Sequence, residues 1–226
     1  MSEQQLPQEP ETEKGRLMRQ QYLALAKASL QDAKDYESLY TRYSDRPTPA
    51  QGLDQEVARA ALQTGKSPRQ VIQLLAQGPF TQQQILGLSD EEKKAALPQL
   101  PQLLQYAQKT VDSLQQQRYL EYACSVTGKT QSYPDLYRDY VSSDLSAIQL
   151  DQKVTAAALG AGESGDGIAA LLLQGPYSRF QQDVQGTSLQ TVEQYARGTV
   201  AQVQAIQALQ MGQSQRMPLR GRNLER

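Results

Sequence analysis

One long internal repeat constrains this chain more than anything else in it. Leu53–Phe80 reads LDQEVARAALQTGKSPRQVIQLLAQGPF, and 97 residues later Leu150–Tyr177 reads LDQKVTAAALGAGESGDGIAALLLQGPY. The two stretches align without a gap and agree at 14 of 28 positions. The match continues upstream at the same offset, Tyr119-Leu120 on Tyr22-Leu23, then Tyr133, Leu136, Tyr137 and Tyr140 on Tyr36, Leu39, Tyr40 and Tyr43. Downstream the offset falls to 89, where Tyr195-Ala196 and Thr199-Val200 match Tyr106-Ala107 and Thr110-Val111. The second copy is therefore eight residues shorter, around the segment holding Pro98 and Pro101. In a chain of 226 residues, this favours two similar units of about a hundred residues each.

The periodicity within a copy is helical. Leu17, Leu23, Leu25, Ala26 and Leu30 give one apolar side from about Arg16 onward, and the pattern continues into Tyr36, Leu39, Tyr40 and Tyr43. SDRPTPAQG at 44–52 reads as a break. Asp54 is then placed to cap a helix through Val57, Ala60, Ala61 and Leu62 that Gly65 ends, and Asp151 has the same capping role in the other copy. Ser67 caps a second helix with Pro68 at its first position; Val71, Ile72, Leu74 and Leu75 form its buried face, and Gly78-Pro79 stops it. Ser89-Asp90-Glu91-Glu92 reads as another helix start. A long helix is expected over about 102–125, leading directly into the second copy, and a last one over roughly 187–211. No segment alternates with a period of two, so the expected class is all-α.

Composition removes several chemistries. There is no His, no Trp and a single cysteine, Cys124, which excludes a His-dependent triad, a His metal ligand, a zinc cluster and an internal disulfide. Cys124 has Lys27 as its counterpart in the first copy and reads as a small, partly buried side chain. Gly128-Lys129-Thr130 has the ending of a phosphate-binding loop, but the first glycine of that pattern falls on Ala123 and a helix rather than a strand precedes it. Asp90-Glu91-Glu92 suits a helix N-terminus. Gly162–Gly167 (GESGDG) has too few carboxylates for a calcium loop. No catalytic residue, cofactor or metal ion is implied. Formal net charge is −1, no apolar run reaches the ~20 residues of a membrane span, and the first fourteen residues are polar and acidic; a cytoplasmic protein without a membrane partner is expected.

The helix–turn–helix spacing of 54–77 is the one motif with a functional edge. Its first copy places Lys66, Arg69, Gln70 and Gln73 at the start of the second helix, with Arg59 on the helix before, and the last residues add Arg216, Arg220 and Arg222. These are the candidate nucleic-acid contacts. The second copy has Glu163, Gly165, Asp166 and Gly167 in matching places, so basic character was not kept with the repeat. An αα-hairpin closing a bundle is the competing reading.

Asp54-Gln55-Glu56-Val57-Ala58, Ala61-Leu62, Gly65, Ser67, Val71 and Leu74 to Pro79 together resemble a helical segment in the C-terminal regions of bacterial plasmid mobilisation relaxases and replication primases. The likeness covers the repeated stretch only, and the copy at Asp151 departs from it at Thr155, Gly165 and Gly167. It implies an accessory helical module beside DNA-processing enzymes and carries over no catalytic residue.

The expected architecture is two tandem, duplicated helical bundles, 16–115 and 116–211, joined by a long bridging helix that fixes their relation. They are flanked by a disordered acidic segment at 1–15 and a flexible basic tail at 212–226. The expected function is non-enzymatic binding of another protein or self-association, with direct DNA binding through 54–77 and the tail as the alternative. An enzyme with carboxylate chemistry ranks behind both.

Overall fold

The computed structural model of the chain describes residues 13–29, 34–43, 46–86 and 100–214. The described residues form eleven α-helices and no strand: α1 (Glu13–Ser29), α2 (Tyr36–Tyr43), α3 (Pro47–Gln63), α4 (Pro68–Leu75), α5 (Pro79–Leu86), α6 (Leu100–Thr127), α7 (Tyr133–Val141), α8 (Asp144–Gly160), α9 (Gly165–Leu172), α10 (Pro176–Asp183) and α11 (Leu189–Ser214). The chain is all-α. It divides into two compact units, Met1–Arg118 and Tyr119–Arg226. The helix start expected at Ser89–Glu92, residues 1–12 of the acidic segment and residues 215–226 of the basic tail lie outside the described residues, whereas residues 13–15 and 212–214, expected to be disordered or flexible, belong to α1 and α11.

In the first unit α1 packs on α3 and α4, α3 also packs on α5, and α2 lies against α1, α3 and α5. Their shared interior is Tyr22, Ala26, Leu39, Leu53, Val57, Ala58, Ala61, Leu62, Val71, Leu74 and Leu75, closed by Ala107, Val111 and Leu114 from α6. In the second unit α11 packs on α8, α9 and α10, and α7 packs on α8 and α10. That core holds Leu136, Leu150, Val154, Ala158, Ile168, Leu171 and Leu172 with Ala196 and Val200 of α11. It also holds Tyr119 and Ala123, which come from the last turns of α6. The ends of α6 lie within two residues of the expected 102–125.

Local chemistry explains most boundaries. Ser67 and Gln70 make a reciprocal capping box at the start of α4, with Pro68 at its first position. Ser164 takes the matching role for α9, accepting from the Gly167 amide at 3.1 Å. Asp35 and Ser38 exchange bonds in the same way before α2, the Ser38 amide donating to Asp35 at 2.7 Å. Gly65 and Gly162 follow α3 and α8 at φ +82° and +83°, where a side chain is strained.

Three expectations are corrected. The break at 44–52 is shorter than expected: α3 starts at Pro47 and runs through Pro49 and Gly52. Prolines in a helix's first turn cost no hydrogen bond, because those amides have no intrahelical acceptor. Asp54 and Asp151 therefore cap nothing; each is mid-helix and fully buried. The α8 cap is Ser143, which accepts from the Ser146 amide at 3.3 Å. Finally, Gly78-Pro79 and Gly175-Pro176 do more than end a helix: each proline opens a further one, α5 and α10.

Candidate functional site

A carboxyl group in the middle of a helix and away from water needs partners, because burying a charge or an unpaired polar group is costly. Asp54 finds two. The Tyr22 hydroxyl of α1 donates to Oδ1 at 2.6 Å, and the Tyr106 hydroxyl of α6 donates to Oδ2 at 3.1 Å. Asp54 thereby ties three elements, α1, α3 and α6, at one point. The turn between α4 and α5 closes over it: a Cβ built on Gly78 would stand 2.2 Å from Asp54 Oδ1 and 3.1 Å from the Leu75 carbonyl oxygen. Only a glycine lets that backbone approach. The Phe80 ring, two residues on, packs on Tyr106 with centroids 4.4 Å apart. Tyr36 of α2 donates its hydroxyl to the Gln77 carbonyl, tying a fourth helix to the same turn.

The second unit repeats this bond for bond. Tyr119 donates to Asp151 Oδ1 at 2.6 Å and Tyr195 to Oδ2 at 2.7 Å. Tyr133 donates to the Gln174 carbonyl. A Cβ on Gly175 would meet Asp151 Oδ1 at 2.6 Å and Tyr119 Cε2 at 2.9 Å. Tyr177 packs on Tyr195 at 4.4 Å. The third residue of the following helix, Thr81 in one unit and Ser178 in the other, is a buried hydroxyl with no hydrogen-bond partner.

Electrostatics follow from the burial. Removal from water lifts the Asp54 carboxyl to about 7, against the smaller downward pull of the Tyr22 and Tyr106 hydroxyls. Asp151 is lifted to about 7 in the same way, opposed by Tyr119 and Tyr195. Tyr22, Tyr106, Tyr119 and Tyr195 are all raised above the usual phenol range, first by burial and then by the carboxylate each one faces. In each unit one buried carboxyl thus stands between two phenol hydroxyls. Among the described residues no three Cys, Asp or Glu side chains gather as a metal site.

The basic candidates fall elsewhere. Arg59 on α3 pairs with Glu56 one turn back at 2.7 Å. Lys66 reaches Gln21 Oε1 at 3.5 Å, Arg69 is exposed on the first turn of α4, and Gln73 is half-buried. Gln70 closes the cap with Ser67, accepting from the Ser67 amide at 2.9 Å. Arg59, Lys66 and Arg69 lie along α3, its turn and α4, as the helix–turn–helix spacing placed them, while Arg216, Arg220 and Arg222 lie outside the described residues. In the second unit Asp166 of α9 pairs with Arg197 of α11 at 3.0 Å.

Sequence reasoning found every member of the Tyr–Asp–Tyr sites as a repeated position but did not join them. The signal was there: Asp54, Tyr22 and Tyr106 all recur, and an aspartate kept in the middle of an apolar period needs a buried donor. Among the described residues no helix is long and apolar enough to cross a membrane. Against models of known families, curated proteins and solved structures, the chain matches none.

Proposed function

We propose that the chain is a non-enzymatic, tandem-repeat helical binding module whose partner is another protein. The exposed apolar side chains toward the end of α11 carry this reading. Val200 and Val203 are 5% and 6% exposed and face the core, whereas Ile206 and Leu209, further along the helix and turned away from that face, are 45% and 68% exposed. Ile206 and Leu209 are three residues apart and so are neighbours on the helix surface. Such a neighbouring pair of exposed apolar side chains is suited to contact with another protein. An accessory role beside DNA-processing enzymes, suggested by the relaxase and primase resemblance, sits within this reading.

Ile206→Glu with Leu209→Glu tests it. Capture of partners from native lysate, together with sedimentation of the purified chain, is expected to show a stoichiometric partner or self-association that the double variant loses. Thermal stability should stay within about 0.5 kcal/mol, because both side chains are exposed. Capture and sedimentation that are both blank, or unchanged in the variant, would sink the proposal. Direct DNA binding makes a different forecast: affinity that falls steeply with salt and is lost on Lys66→Glu plus Arg69→Glu.

A further inference from the structure

Neither buried aspartate has a part in that binding surface, and each is an expensive group to keep. Asp54 is fully buried in α3 and Asp151 in α8. The groups that act on Asp54 electrostatically are the Tyr22 phenol of α1 and the Tyr106 phenol of α6, with Tyr36 of α2 acting on Tyr22. For Asp151 they are Tyr119 of α6, Tyr195 of α11 and Tyr177 of α10, with Tyr133 acting on Tyr119 and Asp144 on Tyr177. None of these groups is a cation. Arg19, on α1, reaches Gln77 Oε1 at 3.3 Å and lies over the Tyr36 ring at 5.4 Å. Among the described residues each carboxyl has only neutral hydroxyls as partners, so the ionised form bears the cost of a buried charge with no cation against it, a cost the neutral acid avoids. The same geometry is built twice, from residues 97 and 89 apart.

We propose that Asp54 and Asp151 are proton-operated latches: protonated, each locks the tyrosine-bearing helices of its unit together, and ionised, each loosens them. The direction follows from the environment. Each carboxyl is lifted from 3.8 to about 7 by folding, so the folded unit binds a proton that the unfolded one releases. The stability contributed is complete below about pH 4, falls as pH rises, and is gone above about pH 7. Asp35 and Asp135 shift the other way, lowered by hydrogen bonds to Ser38 and by Ser132 and Arg138, and their effect lies below the range that matters here.

The test is thermal unfolding of the full chain between about pH 5 and pH 8, with Asp54→Asn plus Asp151→Asn as the comparison. The amide keeps the shape, one acceptor and one donor, and cannot titrate. The natural chain is expected to lose roughly 5 °C or more in midpoint across that range, and the double variant to lose most of that dependence. A natural chain with a flat or rising midpoint, or a variant with the same fall, overturns the proposal. Hydrogen exchange corrected for the intrinsic rate at each pH gives the local readout. Protection in Glu13–Ser29 should drop at least about tenfold from pH 5 to pH 8, and constant protection there also overturns it. If the double variant does not fold, carbon NMR of the aspartate side chains in the natural chain decides. Two carboxyls titrating near neutral pH support the latches, and all carboxyls in the ordinary range near ~3.8 refute them.

Discussion

Glycine to alanine is the smallest change that separates the roles of individual residues here. At Gly78 the added carbon would fall 2.2 Å from the Asp54 carboxylate oxygen, and at Gly175 it would fall 2.6 Å from Asp151 and 2.9 Å from the Tyr119 ring. Neither neighbour can swing away, since each aspartate is fixed by two hydroxyls. Gly78→Ala and Gly175→Ala should each destabilise by about 1–3 kcal/mol, as overpacking does. Gly52, inside α3 and exposed, meets nothing within 4 Å. Gly52→Ala should stabilise by about 1 kcal/mol through helix propensity. Chemical denaturation of the three variants gives the signs directly, and a Gly78 variant as stable as the natural chain would mean that the turn does not press on Asp54. The sequence carried the recurrence of both glycines and both aspartates. It did not carry their contact, because a glycine before a proline has an adequate explanation as a helix stop, and nothing local distinguishes that from a close backbone approach.

At the scale of the element, the Ser67 cap was the most legible feature, and the structure adds the matching cap at Ser164. Ser67 and Ser164 persist while their neighbours change from Pro68-Arg69-Gln70 to Gly165-Asp166-Gly167. The two caps differ in one respect. Ser67 shares a reciprocal box with Gln70, whereas the residue in that place after Ser164 is Gly167, which has no side chain to return the bond. Ser67→Ala should cost about 1 kcal/mol, and Ser164→Ala a similar amount; adding Gln70→Ala to the first should cost more again. Denaturation midpoints of the single and double variants would show it, and a Ser67→Ala change with no cost would mean that the box contributes nothing. Less legible were the starts of α3 and α8. Two prolines and a glycine at 44–52 carry a strong breaking signal, yet the prolines fall in the first turn of α3, where no amide bond is lost. The short helices α5 and α10 were missed for a related reason: α5 is only eight residues long and its PFTQQQIL carries no clear apolar face to announce it.

At the scale of the whole molecule, the all-α class and the long helix through residue 118 could be read from periodicity and from the point where the second copy takes over. Function was less accessible. The inventory without His and with one Cys removes chemistries but selects no partner. The basic positions that favoured DNA include one arginine paired to Glu56 and one glutamine engaged in a cap. The exposure of Ile206 and Leu209 is a tertiary fact, since nothing in the sequence says whether another element covers that face of α11.

The doubling of the Tyr–Asp–Tyr site has a consequence for counting protons. Each unit that unfolds releases up to one proton near pH 6, because only the folded carboxyl holds it there. If both units melt in one transition, the slope of stability against pH reflects up to two protons; if they melt separately, each transition reflects one. Calorimetry in buffers of different ionisation enthalpy is expected to return that integer, so the stoichiometry of proton release measures whether two copies of one sequence unfold as a single cooperative body.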